Sequence, residues 1–198
     1  MVSSKLKKRF EDRVRLAVEP LGRLGLTPNM LTILGAVIAT IAAYTYTRVS
    51  VNKVYFVYCG LLILFSGFVD AIDGVLARST GKVTSFGGFF DSVADRYSDA
   101  IIYTGIITAG LCNLFIGLIT LFTSLMVSYS RARAEAENIA MSGIGFAERA
   151  ERMILLSFST FIAFYWAPAL NYGVAIVAIL ALITLAQRIL YFKKEIEK

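Results

Sequence analysis

The chain has 198 residues, of which 57% are hydrophobic and 17% are charged, and its formal net charge is +6. A soluble domain carries about 25% charged residues, so this composition, with a mean hydropathy of +0.68, excludes an ordinary soluble enzyme and indicates an integral membrane protein. The absence of histidine excludes Ser-His-Asp catalysis and histidine-ligated zinc, so a catalytic base or metal ligand is expected to be a carboxylate.

The first predicted element is a basic arm over residues 1–25. The arm lacks the short apolar core of a secretory signal. Phe10, Val14, Val18 and Leu21 recur at roughly helical spacing, which predicts an amphipathic juxtamembrane helix on the membrane surface. A disordered basic tail is the alternative. Because no polar linker divides the chain, we expect one membrane domain over residues 1–198. We expect no nucleic-acid partner.

Six apolar segments follow, and a spanning helix needs about 20 such residues. Pro28 precedes the first segment and Pro168 follows the fifth, where proline suits a helix boundary. Only Cys112 and Asn113 separate the third and fourth, which predicts a tight helical hairpin. We therefore expect an all-α integral membrane protein with six transmembrane helices plus the N-terminal amphipathic surface helix. The predicted spans are 29–47, 54–77, 91–111, 114–130, 152–167 and 172–190.

The distribution of positive charge predicts the orientation. Six spans place both termini on one side, together with the connections at 78–96 and 131–152. That side holds all of the 20 lysines and arginines except Arg48 and Lys53, so the positive-inside rule makes it cytoplasmic. We expect a multi-pass protein of the cell membrane, with both termini and the active site on the cytoplasmic side.

Four aspartates lie at the cytoplasmic ends of the second and third predicted spans. Asp70 and Asp73 are three residues apart, and Asp91 and Asp95 are four apart, so each pair shares one helical face. Converging carboxylates repel one another at low dielectric, and hard divalent cations such as Mg²⁺, Mn²⁺ or Ca²⁺ relieve that repulsion. Two such ions would form a clamp for phosphoryl chemistry.

Residues beside the first pair suit a nucleotide. Gly74 and Ala77 would let a ligand approach the backbone closely, and Arg78 supplies a fixed cation for a diphosphate. Two other interpretations stay open, namely structural ion pairs with Arg78, Lys82 and Arg96, and a transporter or proton relay. The acids cluster at one membrane face, which favours a metal-dependent enzyme acting on a phosphate-bearing lipid.

The stretch 70–95 resembles the signature of the CDP-alcohol phosphotransferase family, D-x2-D-G-x2-A-R-x8-G-x3-D-x3-D. The family is also six-helical with an N-terminal surface helix, so the resemblance covers nearly the whole chain. It implies that a CDP-linked lipid, CDP-diacylglycerol or CDP-archaeol, donates its phosphatidyl-type group to an alcohol with release of CMP. Every signature spacing is kept, over Asp70, Asp73, Gly74, Ala77, Arg78, Gly87, Asp91 and Asp95.

The resemblance also implies roles for individual residues. The four aspartates would hold two Mg²⁺ or Mn²⁺ ions, and Asp95 would be the general base on the acceptor hydroxyl, a role open to a carboxylate within hydrogen-bond reach. The segment "PNMLT" at 28–32 is similar to the family's P-N-x-L-T element. The residues implied to bind the CDP-lipid are Asn29, Met30, Leu31, Thr32, Gly74, Ala77, Arg78 and Thr84.

The family resemblance further suggests a homodimer. The small residues Gly105, Ala109 and Gly110 in the third predicted span would allow close contact with a second copy. They would serve equally well for packing within one chain, and the sequence leaves both uses open.

The region 128–152 carries information about the acceptor. Arg131 and Arg149, with Arg188 near the end of the last span, return to the cytoplasmic side from three separate segments, and a basic pocket there suits an acceptor that carries its own phosphate. The alternative is an ordinary basic loop with salt bridges. The pattern resembles the inositol-phosphate-using branch of the family, which has a similar S-Y-x-[KR]-A-R-A-E, then E-R-x-E-R, then a late Q-R. Carried over by position, Ser128, Arg131, Arg149 and Arg188 would bind the acceptor phosphate.

The expected reaction is therefore transfer to inositol 1-phosphate. Phosphatidylglycerol-phosphate synthesis from glycerol 3-phosphate is the alternative, because that acceptor also carries a phosphate. A divalent-cation transporter is the alternative from a different class, since it would bind metal but release no CMP.

Overall fold

A computed structural model describes residues 25–197, and all regular structure in that range is helical, as the sequence predicts. The surface helix predicted over residues 1–25 lies outside the described residues, apart from Gly25 in a turn. The described helices are α1 (Pro28–Tyr46), α2 (Val54–Ser79), α3 (Ser85–Thr108), α4 (Leu114–Ala136), α5 (Arg149–Ala163) and α6 (Pro168–Ile196).

Side-chain caps fix the starts of three of these helices. Thr27 caps α1, Thr84 caps α3 and Asn113 caps α4, each by accepting a hydrogen bond from a backbone amide of the first turn. Such caps satisfy amides that have no partner within the helix. Asn113 ends the connection 109–113 between α3 and α4, which contact each other as a hairpin, although this connection is longer than the two residues that the sequence predicts.

Several predicted boundaries are wrong because the helices continue beyond the apolar segments. The third helix begins at Ser85 instead of residue 91, the fourth continues to Ala136, and the fifth covers Arg149–Ala163 instead of 152–167. Pro168 begins α6 and does not end the fifth helix directly. Hydropathy marks only the part of a helix that prefers lipid, whereas backbone hydrogen bonding continues through polar residues. The connection between α4 and α5 is therefore only residues 137–148.

Buried hydroxyl groups join the helices within the bundle. The hydroxyls of Tyr46 in α1 and Thr160 in α5 lie 2.6 Å apart and share a hydrogen bond. Ser157 of α5 donates to the carbonyl oxygen of Gly60 in α2 at 2.8 Å. Small and hydroxyl-bearing residues at helix contacts are typical of membrane bundles, where they allow close approach and pair polar groups.

Gly105 sets the distance between α1 and α3. A Cβ atom at this position would lie 2.6 Å from the carbonyl oxygen of Ala43 in α1, closer than any ordinary contact. Gly105 therefore serves packing within one chain. Ala109 follows α3 as its C-terminal cap, and Gly110 has a φ of 67°, the left-handed conformation that glycine adopts most easily.

Four of the described helices, α1, α2, α4 and α6, are long and apolar enough to cross a membrane. They make the chain a multi-pass membrane protein by length and composition. α3 and α5 do not meet both requirements of length and hydropathy. α3 carries several charged residues. α5 has 15 residues, which extend only about 22 Å at 1.5 Å per residue. Many large apolar side chains on the helices are exposed, as expected for surfaces that face lipid.

Candidate active site

Three carboxylates converge where the end of α2 meets the first half of α3. Asp70 lies in the last three turns of α2, and Asp91 and Asp95 lie on one face of α3. One carboxylate oxygen from each lies within 4.8 Å of the others, and each residue is half-buried. The short connection between the two helices brings Asp70 of the first predicted pair to both members of the second.

Asp73 is placed differently from the other three aspartates. Its side chain is buried, and its Oδ2 accepts a 2.6 Å hydrogen bond from the hydroxyl of Thr32 in α1. The sequence assigns Asp73 to the metal and Thr32 to the CDP-lipid, and the structure joins them in one contact. The beginning of α1 is thereby tied to the end of α2.

The oxygen donors fit a hard divalent cation. Among the described residues, Oδ1 of Asp95 is a buried oxygen that accepts no hydrogen bond of normal geometry, although Arg149 Nη1 lies 2.8 Å away. Three carboxylates within 4.8 Å of one another carry more negative charge than the single guanidinium of Arg149 balances, which favours a further cation. Carboxylates alone, without nitrogen or sulfur ligands, are the donors that Mg²⁺ and Mn²⁺ prefer.

The residues predicted to bind the CDP-lipid lie around the turn between α2 and α3, with two exceptions. A Cβ atom on Gly87 would lie 3.0 Å from Thr84 Oγ1 and 3.5 Å from Asn29 Oδ1, so Asn29 reaches the first turn of α3. A Cβ on Gly74 would lie 3.2 Å from Nη1 of Arg78, whose guanidinium covers that glycine. Ala77 is half-buried on the same helix. The exceptions are Leu31, which is buried against Val69 and Leu76, and Met30, whose side chain is exposed.

Arg149, the first residue of α5, is bound to three carboxylates. Its Nη1 lies 3.0 Å from Asp70 Oδ2 and 2.8 Å from Asp95 Oδ1, and its Nε donates to Asp99 Oδ1 at 2.9 Å. The attraction of Asp99, Asp95 and Asp70 keeps this half-buried guanidinium charged. The guanidinium is a permanent cation at the edge of the carboxylate cluster.

The predicted acceptor residues line one cavity of about 1020 Å³ together with Asp70, Asp91 and Asp95. The sequence predicts that arginines from three segments meet here, and the structure brings them to the same cavity. Arg131 lies at its wall and pairs with Glu135 at 2.8 Å. The polar residues that line the cavity include Asp70, Asp91, Asp95, Ser128, Arg131, Arg149, Arg152 and Arg188.

Arg188 also holds the connection at 137–148 in place. Its side chain is buried, and it donates to the carbonyl oxygens of Ile144 at 2.9 Å and Val127 at 2.6 Å. Thr184, one turn earlier in α6, accepts a hydrogen bond from the backbone amide of Ala147. α6 therefore positions the segment that leads into Arg149.

Two site residues were missed by the sequence analysis, Asp99 and Arg152. Both side chains are buried, with 3% and 1% exposed, and Arg152 Nη2 lies 3.7 Å from Asp99 Oδ2. The spacing held a signal, because Asp99 follows Asp95 by four residues on the same face of α3. Its position inside an apolar segment concealed that signal.

Comparisons with known proteins agree with this geometry. The family model described as CDP-alcohol phosphatidyltransferase matches residues 25–189. The archaetidylinositol phosphate synthase of Pyrococcus horikoshii is 42% identical over 194 residues, which cover 98% of each chain. The crystal structure of Mycobacterium tuberculosis phosphatidylinositol phosphate synthase with CDP-DAG bound superposes with a TM-score of 0.78 at 31% identity, covering 90% of this chain and 92% of that chain. The same enzyme in complex with manganese and citrate gives a TM-score of 0.78 at 31% identity and covers 90% and 88%.

Proposed function

The chain belongs to the CDP-alcohol phosphatidyltransferase family, and on that premise we propose that it transfers the phosphatidyl-type group of a CDP-linked lipid to inositol 1-phosphate and releases CMP. Family membership confirms the resemblance inferred from the signature at 70–95 and makes the chain a transferase of phospholipid synthesis. The observation that carries the proposal is the single cavity in which the carboxylates meet arginines from α4, α5 and α6. The relatives named above are an archaetidylinositol phosphate synthase and a phosphatidylinositol phosphate synthase.

Two divalent ions, Mg²⁺ or Mn²⁺, are the proposed cofactors. Asp70, Asp91 and Asp95 would hold them together with Asp73, whose orientation is fixed by Thr32. The manganese complex of a structural relative supports this choice of metal. When bound, the ions neutralise the carboxylates and the diphosphate of the donor.

The beginning of α1, the turn before α3 and the end of α2 form the proposed site for the CDP group. Asn29 and Thr84 both lie close to the position that a Cβ atom on Gly87 would occupy, and Arg78 covers Gly74, the residue after Asp73. These residues offer amide, hydroxyl and guanidinium groups next to a glycine that leaves space for a ligand. Leu31 would contribute through packing, because its side chain is buried.

The proposed chemical step is a displacement at the phosphorus that carries the lipid. The acceptor hydroxyl oxygen forms a bond to that phosphorus, the bond from phosphorus to the CMP oxygen breaks, and CMP leaves. The hydroxyl proton passes to the carboxylate of Asp95 as the new bond forms. Asp95 lines the cavity beside Arg149, so a base and a cation for the acceptor are neighbours.

The phosphate of the acceptor would lie against Arg131, Arg149 and Arg188, with Ser128 donating a further hydrogen bond. A phosphate that replaces the carboxylates at Nη1 of Arg149 would be adjacent to Asp95, which lies 2.8 Å from that nitrogen. Planar guanidinium groups suit a phosphate dianion by charge and by geometry. Free inositol offers them no partner.

We place all six helices in the membrane, with both termini and the cavity on the cytoplasmic side. The charge asymmetry supports this orientation, because Arg48 and Lys53 are the only basic residues at the opposite ends of the helices in the printed sequence. Trp166 and Tyr172 stack at that end, and aromatic residues are enriched at membrane interfaces. The active unit would be a homodimer. Gly105 would not form the contact between the two copies, because it packs against Ala43 of its own chain.

The deciding experiment measures CMP release by purified protein with a CDP-linked lipid and a panel of acceptors. Inositol 1-phosphate should be a better acceptor than free inositol, serine and glycerol 3-phosphate. A preference for glycerol 3-phosphate would support the proposed phosphate pocket but contradict inositol 1-phosphate as the acceptor. Metal uptake into vesicles without CMP release would indicate a cation transporter instead.

A further inference from the structure

We propose that Asp99 is the positioning residue that sets the acceptor-binding arginines in place, a proposal that rests on the function proposed above. Asp99 lies outside the eight signature positions and does not line the cavity. It contacts the acceptor site only through two guanidinium groups, those of Arg149 and Arg152. Its role is therefore indirect and concerns the acceptor, not the metal or the CDP group.

The contacts divide the Arg149 guanidinium into two parts. Nε donates to Asp99 Oδ1 at 2.9 Å in the buried interior. Nη1 points to the cavity, where it contacts Asp70 and Asp95. A guanidinium is planar and rigid, so a carboxylate that fixes Nε also fixes the direction of the nitrogen that faces the ligand.

Arg152 gives Asp99 a second cation to orient. Arg152 is 1% exposed and lines the same cavity, its Nη1 donates to the carbonyl oxygen of Ala147 at 3.1 Å, and its Nη2 lies 3.7 Å from Asp99 Oδ2. Nε and Nη2 of Arg152 are buried and form no hydrogen bond with any residue in the described range 25–197. One carboxylate thus lies between two arginines that are three residues apart on α5.

The cost of burying this group indicates that it is more than a packing element. A carboxylate and guanidinium pair removed from water is often no more stable than apolar residues of the same size. Asp99 lies on α3 one turn after Asp95, so it ties the helix that carries the proposed base to the helix that carries the acceptor cations. The distance between the carboxylate of Asp95 and the acceptor-binding arginines of α5 decides whether the acceptor hydroxyl reaches Asp95.

The test compares two variants of Asp99. Asp99→Leu keeps the branched shape of the side chain but removes both carboxylate oxygens. Asp99→Asn keeps one oxygen and removes the charge. The KM for inositol 1-phosphate should rise about ten-fold or more in Asp99→Leu and roughly three-fold to ten-fold in Asp99→Asn, as expected for losing or weakening a charged hydrogen bond. The KM for the CDP-lipid should change by less than about two-fold. If Asp99→Leu does not fold, Asp99→Asn carries the test.

A double-mutant cycle separates positioning from general destabilisation. In an Arg149→Ala background, Asp99→Asn should raise the acceptor KM by a smaller factor than in the parent protein, because only the contact with Arg152 then remains. Binding of inositol 1-phosphate, measured by calorimetry in the absence of CDP-lipid, should follow the same pattern. Thr120→Val removes a different buried hydrogen bond, to the carbonyl oxygen of Val174, and should lower the unfolding temperature without changing the acceptor KM.

Three results would overturn the proposal: an unchanged acceptor KM in Asp99→Asn, full additivity with Arg149→Ala, or an equal loss in CDP-lipid binding. The cycle remains informative if the acceptor is misassigned. In that case the parent protein would prefer another phosphate-bearing alcohol, and the same comparison would be made with that alcohol. Failure of the proposed function and failure of the role of Asp99 are therefore distinguishable.

Discussion

The hydroxyl of Thr32 in α1 donates a 2.6 Å hydrogen bond to Oδ2 of Asp73 in α2, and the two side chains are 5% exposed each. The residues are 41 positions apart and belong to two separate sequence elements, "PNMLT" and the aspartate signature. The bond fixes the carboxylate of Asp73, which does not line the cavity that Asp70, Asp91 and Asp95 share. The first helix thus supports the proposed metal site without supplying a ligand.

Replacing Thr32 with valine should weaken metal binding. Valine keeps the shape but removes the donor, and a hydrogen bond to a charged group contributes about 1.5–3 kcal/mol. The Mn²⁺ concentration for half-maximal CMP release should rise roughly ten-fold or more at about 1.4 kcal/mol per decade. Thr40→Val is the matched control, because Thr40 also lies on α1 but bonds to Ala36 and Tyr97. An identical metal titration for Thr32→Val and the parent would contradict the supporting role.

Removing divalent metal should abolish the reaction. The carboxylates of Asp70, Asp91 and Asp95 lie within 4.8 Å of one another and would repel both one another and a diphosphate donor without cations. EDTA should stop CMP release, and Mg²⁺ or Mn²⁺ added in excess should restore it. Persistence of full turnover in EDTA would remove metals from the mechanism.

Asp95→Asn should lose turnover while keeping the donor. A general base acts chiefly in the transition state, so its loss appears mainly in kcat, and the usual scale of the effect is roughly 10²–10⁴-fold. CDP-lipid binding, measured separately by calorimetry, should be retained because Thr32, Asp73 and Arg78 are unchanged. Asp70→Asn is the comparison, because Asp70 is proposed to hold metal without acting as the base. Near-normal turnover of Asp95→Asn would assign the base elsewhere.

Gly105→Ala should destabilise the fold without touching the site. The added Cβ would lie 2.6 Å from the carbonyl oxygen of Ala43, so α1 and α3 must move apart, and overpacking of this kind costs about 1–3 kcal/mol. The unfolding temperature in detergent should fall. Gly88→Ala on the same helix is the control, since nothing lies within 4 Å of its added Cβ. Equal unfolding temperatures for both variants would show that α1 and α3 adjust at no cost.

The sequence predicts the carboxylate cluster well because the spacing of three and four residues fixes one face of each helix. A short connection that contains glycine then brings the acidic faces of α2 and α3 close together. The sequence also predicts that Arg131, Arg149 and Arg188 line one cavity, because the six predicted spans return their segments to one side. These predictions depend on helical periodicity and on the order of the predicted spans, both of which are read directly from the sequence.

The remaining contacts depend on partners that no local pattern reveals. Asp99 binds Arg149 across 50 residues, and it lies within an apolar stretch that predicts only burial. Arg188 donates to backbone carbonyls, and every residue type presents the same carbonyl. The helix ends at Ser85 and Ala136 were missed because hydropathy does not report hydrogen bonding beyond the apolar region.

The acceptor arginines should divide into two kinds, which the structure distinguishes. Arg131 is partly exposed at the cavity and pairs only with Glu135 among the contacts described, so Arg131→Ala should raise the KM for inositol 1-phosphate roughly 10–100-fold, the equivalent of one charged hydrogen bond. Its unfolding temperature should not change, because an exposed ion pair contributes at most about 1 kcal/mol. Arg133→Ala is the matched control, since it breaks the same kind of pair with Glu137.

Arg188→Ala should lower both acceptor affinity and stability. The buried guanidinium bonds the carbonyl oxygens of Ile144 and Val127, and an unpaired buried carbonyl costs about 1–3 kcal/mol. The unfolding temperature should fall, and the KM for inositol 1-phosphate should rise by at least as much as in Arg131→Ala, because the connection at 137–148 also leads into Arg149. The unfolding temperature and the KM for inositol 1-phosphate should be measured in all three variants. A stable Arg188→Ala protein with a normal KM would remove Arg188 from the site. An equal effect of Arg133→Ala and Arg131→Ala on the KM would mean that the arginines act only through their general positive charge.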